Sequence, residues 1–183
     1  KNCATLVRDV IADCGEGEIE WGTHELASKK TFRELIDLNL EPQPWSDFGI
    51  DLALGAEIDE LVKNEELMFL PRKVEDIFKI STNNGKPLTG PTEILNDVPY
   101  VKPSAGFIGS PAFYFWIILV LGSLLWFLRW HRGAKIFDAF FFSLMAITGL
   151  LLVYLWFGTE HTTTDKNYNL LWANPIHFLI PLL

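Results

Sequence analysis

Apolar positions recur with a helical period over most of the first hundred residues and then merge into two long uninterrupted runs. Leu6, Val7, Val10 and Ile11 share one helix face, with Arg8, Asp9 and Asp13 off it, which predicts a helix over residues 3–13. Asn2 stands at the N-cap position, and Cys14-Gly15-Glu16-Gly17 closes the run. Residues 16–30 are polar and unpatterned, a loop or lid. Thr31 with Glu34 forms a capping box for a second helix with the stripe Phe32, Leu35, Ile36 and Leu38, ended by Pro42 and Pro44. Residues 45–55 read as a compact apolar turn-helix element. Ile58, Leu61 and Val62 mark a short helix, Glu65 to Leu70 another, and Pro71 opens a third carrying Val74, Ile77 and Phe78. Asn83-Asn84-Gly85-Lys86-Pro87 predicts a turn, with a short edge strand within Lys86 to Ile94. Pro99, Pro103, Gly106 and Pro111 mark a linker over 99–110.

The two apolar runs are Pro111 to Trp130, with Arg129 as its one charge, and Ala139 to Gly158, with none. At 1.5 Å per residue each reaches about 30 Å, the thickness of a bilayer's hydrocarbon core. Two transmembrane helices are therefore predicted at about 111–130 and 139–158, with the start of a third at Pro175. Between them Arg129, Arg132 and Lys135 outweigh Asp138, so the loop 131–136 is expected to be cytoplasmic and the flanking parts periplasmic, as in a bacterial inner membrane. Trp126, Trp130, Tyr154, Trp156 and Trp172 are placed as interfacial anchors. The expected division is a soluble domain over 1–98, the linker, and a membrane domain over 111–183; the fold class is mostly α.

Charge sharpens this division. The formal net charge of -8 comes from residues 1–110, where 20 acidic side chains face 11 basic ones; beyond residue 110 there are three and four. An acidic soluble part argues against a nucleic-acid partner, whose phosphates call for basic patches. The chain opens on Lys1 and ends inside the apolar run Phe178 to Leu183, which reads as the C-terminal part of a longer membrane protein.

Cys3 is the candidate nucleophile. A helix N-terminus favours an anion, and the thiolate is the reactive form of cysteine; the alternative is a buried structural cysteine. Cys14 lies about 16 Å further along the same helix, too far for a disulfide with Cys3, and reads as a small apolar residue. His24 is a base candidate in a polar segment, otherwise a solvated loop histidine; His131 falls in the basic loop, on the opposite side from Cys3. His161, with Asn167, Asn169 and Trp172, belongs to a polar turn after the second span that is expected to meet lipid headgroups or support the site; the alternative is a capped interhelical turn. His177 is either packed or functional. Asp51, inside an apolar segment, needs a partner such as Arg33 or backbone N–H groups. No spacing of His, Cys and carboxylates reads as a metal site, and no cofactor is expected.

Several stretches in order carry a resemblance: Asn2-Cys3-Ala4-Thr5 with Arg8-Asp9, Thr31-Phe32-Arg33, Trp45 with Phe48-Gly49-Ile50-Asp51 and Leu54-Gly55, and Met68-Phe69-Leu70-Pro71. Glu160-His161-Thr162-Thr163 and Asn167-Tyr168-Asn169-Leu170-Leu171-Trp172-Ala173-Asn174-Pro175 follow. The series resembles the bacterial Lnb-like family, periplasmic thiol domains with C-terminal membrane helices that include the Lnb-type lipoprotein N-acyltransferases. The resemblance implies the helical part of a permuted papain-like, NlpC-like α+β domain, with Cys3 as nucleophile on a helix supported by Asn2, Thr5, Arg8 and Asp9. It places the partner histidine on a strand upstream of the cysteine helix, so this segment alone is expected to be inactive. It further implies a phospholipid acyl donor, a lipoprotein amine as acceptor and a bilayer as partner. A cell-wall cysteine amidase or peptidase, and a non-catalytic membrane-tethered module, are the alternatives.

Overall fold

The computed structural model describes residues 2–15, 17–95 and 106–182, so residues 99–105 of the expected linker lie outside the described residues. The chain divides into two compact units. Unit 1 comprises residues 1–34 and 60–101; unit 2 comprises residues 35–59 and 102–183. Residues 35–59 thus cluster with the C-terminal part of the chain in unit 2.

In unit 1, helix α1 spans Cys3–Cys14 and α4 spans Pro71–Lys79. The core is short-range and aliphatic: Val62, Leu67, Met68 and Ile77 have no exposed surface, and Trp21 stacks on Phe78 at 5.5 Å. Leu67 and Met68 come from a 3-10 turn over Glu66–Phe69, and Ile77 and Phe78 from α4, which starts on Pro71 at its first helical position. Three two-residue strands, Ile19–Glu20, Thr82–Asn83 and Lys86–Pro87, pair antiparallel in chain order. The last two are joined at Asn84 and Gly85, both at positive φ (51° and 72°), the geometry a tight hairpin turn demands. The edge strand therefore ends at Pro87. These three are the only strands among the described residues, and the larger sheet of a papain-like domain is not among them.

α1 departs from its expected burial. Leu6, Val7 and Val10 are about half exposed, Cys3 and Cys14 are exposed, and Thr5 is the buried position. Cys14 is thus not a packed apolar residue. The side of α1 that packs on the rest of unit 1 is the polar one, because Arg8 bonds to the Glu65 carbonyl there.

Helix α2, Phe32–Leu40, begins on the predicted capping box: Glu34 N donates to Thr31 Oγ1 (3.2 Å) and Thr31 N to Glu34 Oε2 (2.9 Å). That bond to the Thr31 N–H, aided by Lys30, holds the Glu34 carboxyl below its ordinary range. Of its predicted stripe Leu35 is buried, whereas Leu38 is exposed.

Unit 2 is built on α3 (Pro44–Ala53), α5 (Pro111–Phe127) and α6 (His131–Phe157). Aromatic pairs join α3 to the start of α5: Trp45 with Tyr114 at 5.4 Å and Phe48 with Phe115 at 5.3 Å. α6 is one continuous helix of 27 residues, apolar and long enough to cross a membrane. Residues 131–136, expected as a loop, are its first turns. The reversal is made earlier, at Arg129, whose φ is 51°; no proline follows within 131–138, and the single Gly133 is tolerated inside the helix. α5 has 17 residues, about 26 Å at 1.5 Å each, short of a full hydrocarbon core. Pro175–Leu182 forms a 3-10 helix packed along α6. The close approach is made at Gly149, where a Cβ would collide with the Ala173 carbonyl oxygen.

Candidate functional site

Cys3 occupies the first turn of α1, and four neighbouring residues fix that turn. Asn2 Oδ1 accepts from Thr5 N (3.0 Å) while Asn2 N donates to Thr5 Oγ1 (2.8 Å), a reciprocal cap. Asn2 Nδ2 donates to the Phe69 carbonyl (2.8 Å), and Arg8 Nη1 to the Glu65 carbonyl (2.9 Å). Arg8 is held in turn by Asp9, whose Oδ1 accepts from Nε at 2.9 Å and Nη2 at 2.5 Å. Asn2 and Arg8 thus fasten α1 onto the segment 65–69, and Thr5 and Asp9 hold those two residues. The N–H groups of Thr5 and Leu6 are taken by Asn2. Those of Cys3 and Ala4 have no acceptor within the helix, as for any first turn. The result is an exposed thiol beside two backbone donors that have no acceptor among the described residues.

His24 does not complete a pair with it. Its Nε2 lies 3.2 Å from Lys73 Nζ and 3.7 Å from Asp76 Oδ2, and its Nδ1 accepts from Leu26 N (3.2 Å). Its own N–H donates to Asn64 Oδ1 (2.8 Å). Lys73 donates to Asp76 at 2.7 Å, and that bond holds the Asp76 carboxyl below its ordinary range. The expected solvated loop histidine is therefore an ordered, largely buried ring in a Lys–Asp cluster. No hydrogen bond links it to Cys3 among the described residues.

The polar turn after α6 has a different role from the one expected. Asn167 is 1% exposed; its Nδ2 donates to the carbonyls of Leu52 (2.8 Å) and Ala53 (3.0 Å), and its Oδ1 accepts from Asn169 N (3.0 Å). Asn169 Nδ2 adds bonds to the carbonyls of Asp51 and Leu52, both 3.2 Å, while its Oδ1 accepts from Trp172 Nε1 (3.0 Å). Gly55 N donates to the Thr163 carbonyl (2.9 Å), and a Cβ on Gly55 would collide with the Asp165 carbonyl. Asn167 and Asn169 are thus not free to meet headgroups: they satisfy the last carbonyls of α3, which its own helix leaves without donors. His161 is exposed, as an interfacial position requires. His177 packs on Phe142 (5.4 Å) and its Nε2 lies 2.8 Å from the Trp172 carbonyl.

Residues 102–183 match the family model of the Lnb transmembrane domain. Over this part the chain is similar to the Lnb transmembrane domain. The resemblance drawn from Glu160 to Pro175 is borne out there, and the match together with the long apolar α6 supports a membrane protein. No curated protein and no solved structure matches the chain.

One grouping escaped the sequence reading. Carboxylate oxygens of Asp37, Asp47 and Asp51 lie within 4.8 Å of one another, the only such set among the described residues that could hold a metal ion. Asp47 Oδ1 is buried without a hydrogen bond. Burial first, and then the charge of Asp51, push the Asp47 carboxyl above its ordinary range. The i, i+4 spacing of Asp47 and Asp51 was visible in the chain; Asp37, from another helix, was not.

Proposed function

We propose that the intact protein is a membrane-anchored thiol acyltransferase that moves an acyl chain from a phospholipid to the N-terminal amine of a bacterial lipoprotein, with Cys3 and the soluble part on the periplasmic side of the inner membrane. One observation carries the reading: an exposed cysteine in a capped, externally braced first helical turn, on a chain whose C-terminal part is similar to the Lnb transmembrane domain. A histidine base, which the family resemblance puts upstream of Cys3, takes the thiol proton. The thiolate attacks the ester carbonyl, the C–S bond forms, and the glycerol oxygen leaves with the proton from the imidazolium. The acceptor amine then attacks the thioester and gives a proton to the now neutral imidazole; the amide forms, the C–S bond breaks and the thiolate is released. The N–H groups of Cys3 and Ala4 are placed to receive the tetrahedral oxyanion, an interaction worth roughly 3 kcal/mol per donor in other enzymes. α5 and α6 both cross the bilayer, the shorter α5 with local thinning, and keep the enzyme where both substrates reside.

The test uses the intact protein in bilayers with a phospholipid radiolabelled in its acyl chain. The parent forms a hydroxylamine-sensitive label and passes it to a lipoprotein amine; Cys3→Ser does neither. Equal transfer by Cys3→Ser defeats the proposal.

A further inference from the structure

Within unit 2, α3, α5, α6 and Trp172 enclose an apolar groove of about 530 Å³. α3 contributes Trp45, Phe48 and Leu52, spaced i, i+3 and i+7 on one helix face. Leu119 of α5 and Met145 of α6 are further parts of its wall. Of the four side chains in the wall that carry a polar group, Thr148 donates to the Leu144 carbonyl (3.0 Å) and Trp172 Nε1 to Asn169 (3.0 Å), while Trp45 and Tyr114 bring one N–H and one hydroxyl on otherwise apolar rings. An occupant is therefore held mainly by burial and dispersion. Trp45, Tyr114 and Trp172 are the amphipathic rings found where hydrocarbon meets headgroups.

We infer that this groove is a binding site for one phospholipid acyl chain. Size separates that occupant from another helix. A helix 10–12 Å across with a 5.4 Å pitch fills roughly 400–600 Å³ per turn, so the groove would hold about one turn. An extended hydrocarbon is about 4.5 Å across by carbon contact distances, which gives the groove room for on the order of twenty methylenes. Phe141, Leu144 and Met145 of α6, the span, are themselves part of the wall, so a lipid tail beside α6 reaches the groove without leaving hydrocarbon. The wall supplied by α3, a short helix too small to span, turns a lipid-facing surface into a bounded site. This inference rests on the acyl-transfer reading for its role, the seating of the donor's tail, but binding itself does not require the thiol.

The experiment is photocrosslinking of the intact protein, and of its Cys3→Ser form, in phosphatidylethanolamine–phosphatidylglycerol vesicles containing a phospholipid with a diazirine in mid-chain. Adducts are expected on the α3 peptide as well as on α5 and α6, in both forms. Met145→Trp, or Leu119→Trp from the other wall, should lower the α3 adduct at least fivefold, whereas Leu151→Trp, outside the groove, should not. An α3 adduct absent from the parent, as when protein fills the groove, overturns the inference; so does one that neither filling variant reduces. Loss of the adduct on filling, with no acyl transfer in the parent, retains the groove and removes the thiol reading. Transfer without an α3 adduct does the reverse.

Discussion

Replacing Asn167 by alanine deletes three hydrogen bonds from a position with almost no solvent access: two donated to the carbonyls of Leu52 and Ala53 and one accepted from Asn169 N. The Leu52 carbonyl keeps a bond from Asn169 Nδ2, at 3.2 Å, but the other two groups lose their side-chain partner. A net worth of about 1 kcal/mol per bond, raised where a buried group is left unsatisfied, puts the loss at about 2–3 kcal/mol. Asn167→Asp separates this account from simple loss of packing. It is nearly isosteric and retains the acceptor for Asn169 N, but it aims a carboxylate at two carbonyl oxygens. It should therefore be worse than alanine by about 1 kcal/mol or more at neutral pH. Urea titration in detergent micelles, followed by tryptophan fluorescence, measures both; Trp172 reports locally because Asn169 holds its indole N–H. An alanine variant within 0.5 kcal/mol of the parent, or an aspartate variant no worse than alanine, refutes the reasoning.

Gly55→Ala should destabilise by about 2 kcal/mol or more, because its Cβ would meet the Asp165 carbonyl, backbone that has no rotamer to yield. Gly49→Ala, inside α3 with open space around its Cβ position, should stabilise by about 0.5–1 kcal/mol; the same titration compares them, and equal signs would contradict the geometry. Asp47→Asn bears on pH. The folded-state carboxyl lies above its unfolded value, so the stability it contributes is complete below the unfolded value near 4 and is lost as pH rises through the folded one. The asparagine variant should therefore be the more stable protein at pH 7, with the difference closing below about pH 4; a gap unchanged between those two pH values would argue against burial as its cause.

Local chemistry decided by itself where most elements begin. Asn2 and Thr5 form one cap and Thr31 and Glu34 another, Pro71 starts α4, and Asn84-Gly85 makes the hairpin, because each depends on residues within four positions. The long apolar run of α6 likewise announced a span, since a bilayer sets its length and polarity without help from neighbours. Tertiary structure decided what those elements face. The apolar stripe of α1 reads as a buried face, yet Arg8 and Asn2 bind carbonyls of residues 65 and 69 and turn the other side inward. Asn167 looked like an interfacial polar residue, and only the fold brings it to the end of α3, more than a hundred positions earlier. His24 has no pattern around it because its partners, Asn64, Lys73 and Asp76, arrive from forty or more residues away. Periodicity records what a side chain needs, whereas the donors and acceptors that satisfy it are chosen by chain segments that no local pattern connects.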